Sequence, residues 1–235
     1  MNEVLKRLPI FKNLGQAELT SLAERAIRKR FAKDSIIVQE DDVGDSLMLI
    51  LSGRVKVVLN SEEGKEIILS ILKDGDFFGE MSLLDGEPRS ATVIAMEDST
   101  FLIIQRNDFL YQIEKNPSIA KAILAEMSQR MRRADERIGN LILLDVYGRI
   151  ARFLLDLART EGTKVEGGIM IEKRPTQQDI ASIVGTSRET VSRVINELHR
   201  RKLLSISGKS ITIFGTDDIF DDDLAAKLLT KGMDI

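Results

Sequence analysis

The 235-residue chain has no cysteine, no tryptophan, four prolines and a single histidine, His199. Without cysteine there is no disulfide, no thiolate zinc site, no cysteine-held iron–sulfur cluster and no cysteine nucleophile. One histidine leaves no His-rich metal cluster, little scope for Ser-His chemistry and no haem-ligating histidine before position 199. No run approaches the roughly 18 apolar residues of a membrane span, and Met1 to Arg30 hold no signal-peptide core. These absences lead to the expectation of a cytoplasmic protein that is neither an enzyme, a metalloprotein nor a membrane partner.

What is present is ordinary for a globular protein, with 43% hydrophobic and 30% charged residues. The net charge of −3 is unevenly divided: −4 over residues 1–106, zero over 107–145, +5 over 146–214 and −4 over 215–235. One basic block in an otherwise acidic chain is the footprint of a nucleic-acid partner, or else a solvated basic surface.

After an opening helical pattern over 14–28, Gly44, Gly53, Gly64, Gly75 and Gly86 separate short apolar runs at 47–51, 55–59 and 67–72. Two more runs follow, at 91–96 and 100–104. Strands this short with regular turn signals predict an antiparallel sandwich or barrel, and no helical crossovers support a parallel sheet. Asn116-Pro117 then opens a helix. Ala120, Leu124, Met127, Met131, Ala134, Ile138 and Leu141 recur on it at alternating spacings of four and three. That heptad seam predicts a helix of roughly 40 Å whose narrow stripe meets either a second copy of itself or its own barrel.

Two motifs carry chemistry. In the first, Gly79 allows close backbone approach at the start of a helical turn whose free N–H groups attract an anion. Arg89 can neutralise a phosphate bidentately, Ser90 adds a hydroxyl donor, and Glu80 suits a donating hydroxyl on the same ligand. In the second, Thr176 and Ser187 are N-caps, small Ala181 permits close helix crossing and Gly185 makes the turn. The second helix of that pair buries Val191, Val194, Ile195 and Leu198. It presents Arg188, Glu189, Ser192 and Arg193 on the opposite face, where arginine reads guanine and glutamate accepts from cytosine.

The segment from Phe78 to Ala91 resembles the phosphate-binding cassette of cyclic-nucleotide-binding domains, and residues 10–214 as a whole resemble the Crp/Fnr superfamily of bacterial regulators. The resemblance implies an α+β chain. Its parts are an N-terminal β jelly-roll barrel over 1–115, a dimerisation helix over 116–145 and a winged helix-turn-helix over 146–214. An acidic tail over 215–235 departs from the family. It further implies that Gly79 and Ser90 bind a cyclic phosphate, Arg89 is its counter-charge and Glu80 holds the ribose 2′-OH, with Met81 and Ser82 beside them. Arg130 stands at the family's basic position on the central helix, but the Thr-Ser pair one turn later is replaced here by Ala134-Asp135. Asp135 can accept from the adenine amine or from guanine's N–H pair, so cyclic AMP leads as effector while cyclic GMP and cyclic di-GMP stay open.

On the DNA side the resemblance implies that Arg188, Glu189 and Arg193 read a TGTGA-like half-site of a palindrome. Thr176, Gln177, Gln178, Ser187, Thr190, Ser192 and Lys209 stand around them. Gln177 replaces a family arginine, and Lys209 sits in the expected wing between 203–206 and 211–214. The implied partners are double-stranded DNA, a second copy of the chain and RNA polymerase. Two rivals remain at this level: an effector-independent DNA binder, and a nucleotide-sensing module acting on a protein through the acidic tail.

Overall fold

The computed structural model describes residues 2–7 and 10–214, so the tail over 215–235 lies outside the described residues. The described residues form two compact units that divide between Arg132 and Arg133. Two helices, α1 (Asn2–Arg7) and α2 (Gln16–Arg25), precede eight strands: β1 (Ile27–Phe31), β2 (Ile36–Val38), β3 (Ser46–Ser52), β4 (Val55–Asn60), β5 (Glu66–Leu72), β6 (Phe77–Phe78), β7 (Thr92–Ala95) and β8 (Ser99–Gln105). A short helix, α3 (Glu80–Asp85), interrupts them between β6 and β7. They pair antiparallel in two four-stranded sheets, ordered β1-β8-β3-β6 and β2-β7-β4-β5. Apart from the β4–β5 hairpin, consecutive strands alternate between the two sheets, as in a jelly roll.

Strands β3 and β8 read as continuous apolar runs because both of their faces are covered. Met48, Ile50, Phe101 and Ile103 pack between the sheets with Val55, Phe78 and Val93. Leu47, Leu49, Leu102 and Ile104 face the other way, onto a layer containing Leu19, Leu22, Phe109, Ile119 and Ile123. The last three of these come from α4 (Arg106–Lys115) and α5 (Pro117–Leu143). Ile119 and Ile123 are thus the stripe of α5 that meets the barrel, joined by Met127 of the heptad seam, while the rest of the seam's large side chains lie on a different stripe. Of that seam Leu124 is 64% exposed and Met131 67%, with Ile138 and Leu141 also exposed. Sequence patterning did not separate these two stripes, since both are apolar.

In the second unit α6 (Val146–Glu161) begins on Asp145, whose side chain accepts from Gly148 N. A cap of this kind contributes about 1 kcal/mol and marks a firm break from α5. Beyond it come β9 (Thr163–Val165), β10 (Gly168–Ile171), α7 (Gln177–Val184), α8 (Arg188–Arg200), β11 (Leu204–Ser207) and β12 (Ser210–Phe214). The strands form one antiparallel sheet, ordered β11-β12-β10-β9. Only the β11–β12 hairpin follows from the apolar pattern, because Gly162, Gly167 and Gly168 interrupt it around β9 and β10. Ile150, Leu154, Ile180, Ala181, Val191, Ile195, Leu198 and Ile211 make the core beneath α7 and α8.

Candidate functional site

The residues of the first motif meet around α3. Gly79 caps that helix at φ 87, and a Cβ there would lie 2.3 Å from Arg89 Nη1 and 2.9 Å from Ser46 O. Only glycine allows the guanidinium to come so close to the chain. Arg89, 5% exposed, donates from Nη1 to Gly79 O at 3.0 Å and from Nη2 to Ser46 O at 2.8 Å. Burial lowers its proton affinity, while Asp45, Glu80 and Asp42 oppose that change. A desolvated arginine held by backbone carbonyls is a preorganised anion receptor, because little of its side-chain entropy remains to be lost.

Glu80 is 3% exposed. Its Oε1 accepts from Arg130 Nη1 at 2.8 Å, and Arg130 Nη2 also donates to Phe77 O at 2.6 Å. The other carboxylate oxygen, Oε2, is buried with no hydrogen-bond partner among the described residues. Burial raises this carboxyl above the usual range; Arg130, its own backbone N–H and Arg89 pull it down, and Glu126 pushes it up. An unsatisfied buried acceptor is costly and suits a donor from outside the chain, such as a hydroxyl.

The remaining motif residues divide. Ser82 is turned inward, donating to Pro88 O at 3.2 Å, and a Cβ on Gly44 would meet its side chain. Met81 and Ser90 are exposed and touch each other, Ser90 Oγ lying 3.8 Å from Met81 Sδ. Ala134 and Asp135 are exposed on α5, one turn beyond Arg130. Ser46 and the Phe77 carbonyl escaped sequence reasoning, since a backbone acceptor 43 residues from its arginine leaves no pattern. Glu126, which accepts from Arg130 Nε at 3.0 Å, was legible as an i,i+4 pair.

The second motif is built as a helix-turn-helix. Thr176 caps α7 in a reciprocal capping box with Asp179, and Ser187 caps α8 by accepting from Thr190 N. Gly185 ends α7 at φ 71, where its N–H donates to Ala181 O. The outer face of α8 opens on a concavity of about 640 Å³ lined by residues including Gln177, Arg188, Glu189, Ser192, Arg193 and Asn196. Arg188 and Arg193 are exposed and make no ion pair among the described residues. Glu189 is held below its usual range by its backbone N–H and the Ser187 hydroxyl, so it is an acceptor at neutral pH. Asn196 extends the same stripe by one turn, a spacing the sequence already contained.

Gln178 is exposed at the start of α7, and Lys209 is exposed in the β11–β12 turn, its carbonyl accepting from Arg174 N. Arg200 and Arg201 both pair with Glu197, which ties up much of the cationic end of α8. Among the described residues no group of three His, Asp or Glu side chains is placed to hold a metal, and no helix is long and apolar enough to cross a membrane.

These two sites coincide with two known domain families. The cyclic nucleotide-binding domain matches residues 28–116 and the Crp-like helix-turn-helix domain residues 148–217. A CRP-like cAMP-activated global transcriptional regulator of Mycobacterium tuberculosis is 32% identical over 91% of this chain and 95% of its own. The cAMP-activated global transcriptional regulator CRP of Escherichia coli is 39% identical over 80% of this chain and 89% of its own. The c-di-GMP responsive global regulator CLP of Xanthomonas campestris shares the fold, with a TM-score of 0.75 at 24% identity over 86% of this chain and 100% of that one. A cyclic nucleotide-binding domain joined to a Crp-like helix-turn-helix defines a transcription regulator rather than an enzyme. The chain belongs to the Crp/Fnr family.

Proposed function

We propose that this regulator is a homodimer gated by cyclic AMP that binds a palindrome of TGTGA-like half-sites and acts on RNA polymerase. The observation that carries the effector reading is the orphaned Glu80 Oε2 beside a guanidinium already desolvated and aimed. A cyclic nucleotide supplies both complements: a ribose hydroxyl for Glu80 and a phosphate anion for Arg89, with Gly79 and Ser90 at its edge. Ala134 and Asp135 are the candidates for base discrimination. Cyclic AMP leads over cyclic GMP because both curated relatives are named cAMP-activated.

The homodimer reading is supported by Leu124, Met131, Ile138 and Leu141, large apolar members of the heptad seam that are more than half exposed. In DNA, Arg188, Glu189 and Arg193 read base edges. Thr176, Gln177, Gln178, Ser187, Thr190, Ser192 and Lys209 hold the backbone or neighbouring bases. Gating follows as a population shift: effector binding favours one setting of α5, and the break at 144–146 passes it to the spacing of two recognition helices about 34 Å apart.

The test is binding of a TGTGA palindrome at controlled salt with and without cyclic AMP, cyclic GMP and cyclic di-GMP, on the natural chain and Arg89→Ala. We expect cyclic AMP to raise specific affinity at least tenfold in the natural chain and not in the variant. Equal binding without any nucleotide would establish an effector-independent DNA binder instead.

A further inference from the structure

Arg130 is shared between two carboxylates. Its Nη1 donates to buried Glu80 at 2.8 Å, and its Nε donates to Glu126 at 3.0 Å. Nη2 holds Phe77 O, and the guanidinium lies 4.9 Å from the Phe77 ring centroid. Glu126 precedes Arg130 by four residues on α5, the favourable order for such a pair, and its side chain is only 27% exposed. With Nε fixed by Glu126, the rigid fork of Arg130 has one direction left, toward Glu80 and Phe77 O.

We propose that Glu126 is a positioning residue for the nucleotide site: it aims Arg130 at Glu80 while drawing on the same positive charge, and so sets how readily Glu80 accepts a ribose hydroxyl. This rests on the reading of Glu80 as the ribose acceptor. Nothing in the family resemblance marks position 126. Two consequences oppose each other. The Nε hydrogen bond orients the fork, which strengthens the pair with Glu80. The Glu126 charge competes for Arg130, which weakens that pair and favours a protonated Glu80. A protonated Glu80 has lost acceptor capacity for the hydroxyl.

The groups facing Glu80 are Arg130 and Glu126 from α5 and Arg89 from the segment after α3. Asp76, in the turn before β6, faces Arg130 and Glu126 in turn, with Lys73 beside it. Burial and Glu126 both push Asp76 upward. Three carboxylates therefore gather about one arginine.

Two substitutions separate the effects. Glu126→Gln keeps an oxygen acceptor for Nε and removes the charge; Glu126→Asp keeps the charge at shorter reach. Carbon-13 carboxyl NMR of the effector-free full chain reads the Glu80 titration directly, and calorimetry at a series of pH values reads cyclic AMP affinity. Glu126→Gln should move the Glu80 midpoint to lower pH and extend the acid limb of cyclic AMP affinity by the same interval. Glu126→Asp should keep the natural midpoint. Glu126→Ala, losing orientation as well, should weaken cyclic AMP several-fold at all pH values. An unmoved Glu80 midpoint in Glu126→Gln overturns the proposal. A shifted midpoint in a natural chain that binds no cyclic nucleotide overturns the ribose-acceptor reading, and with it any role for Glu126 in binding, while the carboxylate coupling itself stands.

Discussion

The barrel and the helix-turn-helix handle charge in opposite ways. In the barrel Glu80 and Arg89 are almost wholly buried, and each is gripped by the chain itself. On α8 of the helix-turn-helix Arg188, Glu189 and Arg193 stand in solvent. A small ligand must be recognised by a few groups in a dry cradle, where each interaction is strong and each unpaired group is expensive. A polyanion is met by hydrated cations whose gain comes from released counterions and from base edges reached only in the complex. The barrel charges are therefore part of the fold, whereas the α8 charges are carried by it.

The sharpest way to break that contrast is Arg130→Met. It leaves the buried Glu80 carboxylate without its arginine partner, and should cost about 3 kcal/mol. That is the low end for a broken buried pair, because Arg130 is itself 28% exposed. Adding Glu80→Gln should recover most of the loss in urea unfolding. A cost near zero would put the barrel charges on the same footing as surface ones.

Next in size, Arg188→Ala and Glu189→Ala should each lower specific DNA affinity by about 1–3 kcal/mol and relax selection at one base pair. Thermal unfolding of these variants should stay within about 0.5 kcal/mol of the natural chain. Loss of fold in either would show that the α8 charges too are structural.

The smallest effect is in pH. The Glu80 carboxyl is raised in the folded barrel, so between its unfolded and folded values the folded state binds more protons than the unfolded state. Stability is then lost as pH rises through that window and regained as pH falls through it, by less than about 1.4 kcal/mol per pH unit. Glu80→Gln should flatten this slope in effector-free protein, measured as melting temperature from pH 7.5 down to pH 5. Asp156, also raised by burial, faces Arg152, Arg159 and Glu136 and keeps its contribution in both proteins, so the difference reports Glu80 together with the Arg130 cluster it shares with Asp76.

Much of the molecule is local, and local features were legible. Thr176, Ser187 and Gly185 announce the helix-turn-helix because caps and turns are decided within four residues. The glycine-spaced runs announce β3, β4 and β5 for the same reason. Strand β1 was missed: Ile27, Arg28, Lys29 and Arg30 are all exposed, so no alternation betrays an edge strand defined by its pairing with β8.

Residue chemistry and short-range spacing were enough to set Glu80 beside Arg89 and to mark 176–195 as a helix-turn-helix, whereas Arg130 joined them only through the family resemblance. Neither could say that Arg89 rests on Ser46 O, that Glu80 keeps one oxygen unmet, or that Arg130 is divided between Glu80 and Glu126. Those facts belong to folding alone. Burial and backbone acceptors brought from distant positions set the dielectric and the partners of a charge, and no spacing along a chain records either.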